Sequence, residues 1–325
     1  MRPMTGPVIG GRRSIILPSS PLLIGTRGSP LALWQAEHVR ALLLAAHGPD
    51  GPNVELKVIT TSGDRIQDQP LRELGGKGLF TKEIDAALLR GDVAIAVHSM
   101  KDLPTELPEG IVIGAVLPRH EVRDAFISNE AASLADLPPG AVVGTASLRR
   151  QAQVRKLRPD LRVTDFRGNV ETRIRKLEAG AAAATLLSMA GLDRLGLADR
   201  ATCVLATDEM LPAVAQGAIG VACRADDAET LAILLPLNDP SSATSVACER
   251  AFLTRLDGSC RTPIAGLAEI ANGSLRFRGM ILTPDGSEWH EIALTGPVED
   301  ALRIGTEAGD DLLGRAGPNF LSKLV

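Results

Sequence analysis

Residues 93–99, VAIAVHS, form an almost wholly apolar run. A run of that length suits a strand covered on both faces, as in the interior of a parallel sheet. Such a sheet needs helices packed on it, and the neighbouring sequence alternates accordingly. Leu22–Gly25 reads as a strand, and a helix runs from Pro30, a favoured first helical residue, to about Ala46. Val54–Thr60 reads as the next strand, and Leu79–Arg90 as the helix that leads into Val93–Ser99. Between them the polar, Gly-rich stretch Thr61–Gly78 is long for a connector and is a candidate lid. The βαβ rhythm specifies an α/β domain.

A second unit begins near Arg123, with strands at Ala141–Gly144, Leu161–Phe166 and Ala182–Leu187 and helices between them. Ala218–Cys223 is a further buried strand that can return to the first sheet. The chain breaks at Asn238-Asp239-Pro240 and then reads as a helix over about Ser242–Leu256. Beyond Cys260 the pattern alternates, giving strands at Ile264–Ile270, Leu275–Leu282 and Glu288–Leu294. Asn272-Gly273 and Asp285-Gly286 fall between these strands as hairpin turns, and a last helix covers about Val298–Leu313. The expected organisation is a flexible tail (1–20), an α/β lobe (21–117 with 218–236), a second α/β lobe (118–217) and an α+β domain (237–325) with a three-stranded antiparallel sheet.

Composition narrows the function. A chain of 325 residues is too long for one compact core. Its apolar runs, such as Ala181–Leu187, fall far short of the roughly 20 residues that span a bilayer. Tyr is absent and only eight aromatic residues occur, which argues against reading nucleic acid by base stacking. The net charge of −4 is unevenly spread: Ser147–Lys176 holds ten Lys and Arg against three acids, a local +7 that leaves −11 elsewhere. A basic segment on an acidic chain suits one specific anionic ligand, although half of these cations fit solvated helix faces equally well. The four cysteines, at 203, 223, 248 and 260, have no zinc or redox spacing and read as reduced thiols of a cytoplasmic protein. The scattered histidines suggest no metal site. The tail carries Arg2, Arg12 and Arg13 without an acid, but Gly and Pro interrupt any helix and no apolar secretion segment is present.

Chemistry in open α/β sheets collects just past the carboxyl ends of strands, and three segments fit. Thr26-Arg27-Gly28-Ser29 follows the first strand, Ser99-Met100-Lys101-Asp102 follows the apolar run, and Gly144–Arg150 (GTASLRR) joins a strand to a helix. Ser147 is placed to cap that helix, whose free N–H groups, with Arg149 and Arg150, could hold a carboxylate or phosphate. A capped helix start followed by arginines is also an ordinary structural feature. Asp102 is unsuited to bind an anion; it fits either a salt bridge with Lys101 or an arginine, or a site facing a cation formed during reaction. Nothing adjacent to Lys101 suggests a depressed pKa. Cys260, in the turn-like Asp257–Arg261, is expected to be the accessible thiol, and the other three to pack in cores.

Taken together, TRGSPLALWQA (Thr26–Ala36), GGKGLF (Gly75–Phe80), AIAVHSMKD (Ala94–Asp102), GTASLRR, RGNVETR (from Arg167), AGLDRLGL (Ala190–Leu197), LPAVAQGAIG (Leu211–Gly220) and Gly258-Ser259-Cys260 resemble the porphobilinogen deaminase, or hydroxymethylbilane synthase, family. They run in the family's order from about residue 22 onward. The resemblance implies two periplasmic-binding-protein-like α/β lobes plus the C-terminal domain. It also implies a dipyrromethane cofactor in thioether linkage to Cys260, and no metal. The implied activity is stepwise condensation of four porphobilinogen molecules with loss of ammonia, followed by hydrolytic release of hydroxymethylbilane. Uroporphyrinogen-III synthase would act next, in heme or another tetrapyrrole pathway, and the enzyme would be a monomer.

The family's catalytic aspartate falls on Asp102. Cofactor contacts fall on Ser99, Lys101, Asp102, Thr145, Ser147, Arg149, Arg150 and Gly168. Substrate contacts fall on Arg27, Ser29, Gln35, Lys77, Phe80, Arg167, Arg173, Arg194 and Gln216. Arg155, Arg158, Arg162 and Arg175 have no such match and are read as surface charge. Glu73 stands where relatives often carry lysine, with Lys77 nearby. The rival reading is a non-catalytic two-lobed binding protein for a small anion, which would normally carry an export signal and need no accessible cysteine. A relative that binds pyrroles without turnover would not need both Asp102 and Cys260.

Overall fold

The computed structural model describes residues 21–65, 81–256 and 262–323. The first lobe contains β1 (Leu22–Thr26), α1 (Pro30–His47), β2 (Val54–Val58), α2 (Ser62–Arg65), α3 (Lys82–Leu89), β3 (Ile95–Ser99) and β4 (Ile111–Val116). The second contains β5 (Asp124–Ser128), β6 (Val142–Gly144), α4 (Leu148–Leu157), β7 (Arg162–Thr164), α5 (Val170–Glu178), β8 (Ala184–Ser188), α6 (Met189–Arg194) and β9 (Cys203–Val204). The chain returns to the first sheet as β10 (Ile219–Arg224) and continues through α7 (Ala228–Leu234) and α8 (Pro240–Arg255). It ends in β11 (Ile264–Ala271), β12 (Ser274–Leu282), β13 (Trp289–Pro297) and α9 (Ala301–Leu321).

The two lobes repeat one plan. Their strand orders are β2-β1-β3-β10-β4 and β7-β6-β8-β5-β9. In each, three parallel strands are followed by a strand antiparallel to both its neighbours, β10 in one sheet and β5 in the other. That strand is where the chain arrives from the opposite lobe, so each sheet is completed by a crossing. The first sheet packs Val39 and Leu43 of α1 on one face and Ile84 and Leu88 of α3 on the other. β3 is apolar because it is covered on both sides.

Helix starts follow local chemistry. Ser29 caps α1 ahead of Pro30, Ser147 caps α4 and Asn169 caps α5, each accepting from a backbone N–H three residues on. In the third domain β11, β12 and β13 form an antiparallel meander. Its first turn places Asn272 and Gly273 at φ 50° and 74°, the left-handed pair that a tight hairpin requires. Phe252 and Phe277 centre a core that also takes in Met100 and Leu103, so the residues flanking Lys101 and Asp102 are anchored against the third domain.

Some elements differ from the sequence reading. β4 and β5 were not anticipated, β7 is shorter than Leu161–Phe166, and α9 runs on to Leu321 through a break at Gly317, whose φ is 68°. Cys203, expected in a core, is only half-buried at the edge strand β9, whereas Cys223 and Cys248 are buried. The Gly-rich part of the candidate lid lies outside the described residues.

Candidate functional site

The three loops stand at the carboxyl ends of β1, β3 and β6. After β3 a short 3-10 turn, Met100–Asp102, is pinned by Met100 N–H donating to the Ala218 carbonyl at 3.0 Å. Met100 is buried, and its sulfur occupies the space a side chain at Gly220 would need. Asp102 is therefore exposed on a fixed turn, with no hydrogen-bond or ion-pair partner among the described residues. Ser99 at the strand end accepts from Gln35 Nε2 at 2.8 Å.

Lys101 requires a correction. Burial pulls its pKa down to about 8, with Arg150 and Arg149 adding to the fall and Asp102 and Asp124 opposing it. The side chain keeps partial solvent access although protein surrounds it closely, as expected of a cleft wall. Its Nζ donates to Gln216 Oε1 at 3.4 Å. The depressing charges come from the second lobe, so sequence neighbours could not reveal them.

Behind Lys101 lies a carboxylate that the sequence reading missed. Asp124, fully buried at the start of β5, accepts from Arg149 Nη2, Arg150 Nη2 and Gln216 Nε2 at 2.7, 2.7 and 2.8 Å. Burial alone would raise its pKa, but the two guanidiniums outweigh it and hold the carboxyl well below the usual range. Arg149 also donates to the Leu211 carbonyl and Arg150 to that of Leu186. Burial lowers the pKa of Arg149, against the pull of Asp124. The Nε atoms of both arginines are buried without a hydrogen-bond partner among the described residues.

Around them, Thr145 is buried and its hydroxyl accepts from Ser147 N–H at 3.3 Å. Phe166 packs so tightly on Gly144 that an added Cβ would lie 2.5 Å from its ring. The next residue, Arg167, has a buried Nη1 with no partner among the described residues. Gly168, at φ 119°, presents its carbonyl to Arg173 Nε at 2.8 Å. Burial draws Arg173 down to about 10, Arg150 and Arg167 add to the fall and Asp102 opposes it, so these groups share one field across the two lobes.

Arg194 is buried beneath the lobe junction, donating to the Gly217 carbonyl at 2.7 Å, with Trp34 stacked near it and its pKa lowered to about 10 by burial. Arg27 pairs with Asp64 of α2, another acid that the sequence reading passed over. The Ser29 hydroxyl is engaged in capping α1. Lys77, Phe80, Cys260 and Glu73 lie outside the described residues.

Three arginines read as surface charge have structural partners. Arg158 donates to the carbonyls of Leu134, Ala135 and Leu137, Arg155 to that of Pro284, and Arg162 to that of Gly140. A surface concavity of about 380 Å³ beside Gly140–Val142 and Arg162 lies at the opposite end of β6 from this chemistry. No group of His, Cys, Asp and Glu suited to a metal occurs among the described residues, and no helix there is long and apolar enough to cross a membrane.

Glu249 of α8 joins the domains. Wholly buried, it accepts from both terminal nitrogens of Arg119 (2.6 and 3.0 Å), from Ala215 N–H (2.6 Å) and from Ala268 N–H (2.7 Å). Arg119 and Ala215 lie on the two segments that cross between the lobes. The helix that leads toward Cys260 is thereby tied to both crossings.

Comparison with known proteins agrees with this arrangement. The profile described as porphobilinogen deaminase, dipyromethane cofactor binding domain, matches residues 22–232, and that of the porphobilinogen deaminase C-terminal domain matches residues 243–314. The porphobilinogen deaminase of Paracoccus denitrificans is 56% identical over 303 residues, covering 93% of this chain and 97% of the relative. The chloroplastic porphobilinogen deaminase of Pisum sativum is 55% identical over 306 residues, covering 92% of this chain and 83% of the relative. Among solved structures, the methionine-binding protein MetQ aligns with a TM-score of 0.43 at 14% identity, covering 70% of this chain and 94% of that one. With both profiles matched in order and relatives alike over nearly their whole length, the chain belongs to the porphobilinogen deaminase family.

Proposed function

We propose that the chain is a porphobilinogen deaminase (hydroxymethylbilane synthase), a transferase. It condenses four porphobilinogen molecules head to tail with loss of ammonia and releases linear hydroxymethylbilane. The observation that carries the reading is a carboxylate, Asp102, without a partner among the described residues and exposed amid cations brought from two lobes.

The donor set suits a dipyrromethane, whose acetate and propionate groups need charge-assisted hydrogen bonds. Arg149 Nε, Arg150 Nε and Arg167 Nη1 are buried polar atoms without partners among the described residues, donors that an anion would satisfy, and the burial that depresses the pKa of Lys101 leaves an ammonium that an anion would stabilise. Ser99, Lys101, Thr145, Ser147, Arg149, Arg150 and the Gly168 turn are the residues proposed to hold the cofactor, with Cys260 as its thioether anchor. Bound there, it supplies the pyrrole carbon onto which substrate is added. Arg27, Ser29, Gln35, Lys77, Phe80, Arg167, Arg173, Arg194 and Gln216 are assigned to incoming substrate.

The charges divide the labour. Arginines neutralise carboxylates on the pyrroles, while Asp102 faces the pyrrole nitrogen that becomes cationic when ammonia departs. Two unit charges at 4 Å attract by about 4 kcal/mol at an effective dielectric near 20. Because Asp102 forms no ion pair among the described residues, its carboxylate is available to that reacting group. The same reading carries a monomer in the cytoplasm with uroporphyrinogen-III synthase consuming its product, and no membrane or nucleic-acid partner.

The test is intact-mass measurement of purified protein together with assay of hydroxymethylbilane formation from porphobilinogen. The expected result is one added dipyrromethane that Cys260→Ala removes. A mass equal to the bare chain with no product from porphobilinogen would overturn the assignment.

A further inference from the structure

The turn that carries Asp102 is entered through Met100, which the Ala218 carbonyl holds at 3.0 Å, and left through Leu103-Pro104-Thr105. Leu103 is buried against the third domain and donates its N–H to the Met100 carbonyl at 3.3 Å. Its backbone is extended (φ −77°, ψ 142°), as a residue before proline prefers. From Pro104 the chain crosses to β4 without regular structure. Neither the Pro104 nor the Thr105 carbonyl accepts from a backbone N–H among the described residues. Both accept instead from one nitrogen, Arg250 Nη2, at 2.6 and 2.8 Å.

Arg250 lies on α8, one residue after Glu249. The helix is well anchored: Asp239 caps its start by accepting from Ser242 N–H at 2.7 Å, and Cys248 and Phe252 are wholly buried. Burial lowers the pKa of Arg250, and among the described residues no carboxylate opposes the fall. A cation drawn from water without a counter-charge is destabilising, so stability alone does not account for an arginine at this position. What distinguishes the side chain is its reach. One nitrogen gathers two consecutive carbonyls, and the first of them lies two residues beyond Asp102.

We propose that Arg250 is a positioning residue that holds the Asp102 turn from its exit side, so that the carboxylate is in place before the pyrrole cation forms. This rests on the reading of Asp102 as the group that faces that cation. Arg250 acts through the main chain of Pro104 and Thr105 and not on substrate directly. A carboxylate whose backbone is held on both sides needs little rearrangement during reaction, which is what makes preorganised charge effective.

The test is a double-mutant cycle on cofactor-loaded enzyme, with loading checked by mass and folding by thermal melting. Arg250→Met fills the space without donating. It is expected to lower kcat about tenfold, within the loss of up to about 10²-fold that a small misplacement of a reacting group brings, with little change in KM for porphobilinogen. Arg250→Lys keeps a single nitrogen donor and is expected to recover most of kcat. In an Asp102→Asn background, Arg250→Met is expected to lower kcat no further. Should Arg250→Met not fold, Arg250→Gln takes its place in the cycle with the same expectations. A purely structural role would lower the melting temperature and either leave kcat of the folded protein in place or lower it equally in both backgrounds, and each of these overturns the proposal. Should Asp102→Asn leave kcat unchanged, the reading of Asp102 fails and the role of Arg250 falls with it. Should Asp102→Asn lower kcat while Arg250→Met does not, only the role of Arg250 is refuted.

Discussion

Asp124 and Arg150 meet at 2.7 Å with the carboxylate completely shielded from solvent, and Arg149 reaches the other oxygen of the same carboxylate at the same distance. One buried negative charge therefore serves two buried positive ones. The surplus suits an anion arriving from outside.

Replacing Asp124 with Asn leaves two buried guanidiniums without their counter-charge, which is expected to destabilise the fold by about 3–5 kcal/mol. Since the folded carboxyl titrates below its ordinary value of 3.8, its contribution is complete above that value and is lost as the pH falls further toward the folded pKa. Urea midpoints of wild type and Asp124→Asn should differ widely at pH 7 and converge in strong acid. Equal midpoints at pH 7 would contradict the burial argument.

Lys101 titrates in the opposite sense. A lysine whose folded pKa is about 8 against 10.5 unfolded costs stability while it is charged in both states, and that cost fades as pH rises from about 8 toward 10.5. In cofactor-free Cys260→Ala protein, Lys101→Gln should therefore raise the melting temperature at pH 7, by a margin that shrinks over that interval. With an anionic cofactor in place the lysine should titrate higher, observable by NMR of its side-chain nitrogen. A gain that does not vary with pH would point to packing rather than charge.

How much of this was legible in the chain follows from where each cause lies. The apolar run before Ser99, the Ser147 cap and the Asn272-Gly273 turn are local chemistry, and sequence alone locates them. The loop containing Asp102 stands out because a polar turn interrupts buried strand sequence. Asp124 was passed over because a single acid opening a short apolar strand has no local signature; its meaning comes from Arg149, Arg150 and Gln216, which other segments deliver. Glu249 was missed for the same reason, as an acid inside an ordinary-looking helix. Lys101 looked unremarkable because both the burial that lowers its pKa and the arginines that add to the fall depend on the packing of the two lobes, which no sequence neighbour reveals.

Asp102 differs from both buried acids in having no partner among the described residues, so Asp102→Asn should leave stability within about 0.5 kcal/mol of wild type. Turnover should nonetheless fall by about 10²–10³, the range for removing one preorganised electrostatic group. Urea denaturation and a single-turnover assay on loaded enzyme separate the two quantities. A variant that loses stability and activity together would mean that Asp102 is a structural ion-pair member after all.

Glu249 gives the complementary case, an acid whose role is wholly architectural. It answers Arg119 bidentately and caps two backbone N–H groups from different segments. Glu249→Gln keeps the shape but turns an amide nitrogen toward donors and leaves Arg119 uncompensated, at an expected cost of about 3–5 kcal/mol. Replacing Arg119 as well, as Arg119→Met with Glu249→Gln, removes the stranded charge and should recover part of that loss, since breaking one partner of a buried pair costs more than removing both. The two Ala N–H groups still need an acceptor, so recovery should be incomplete. A double variant as unstable as the sum of the single ones would show that the pair is not coupled, and that the joint depends on the backbone bonds alone.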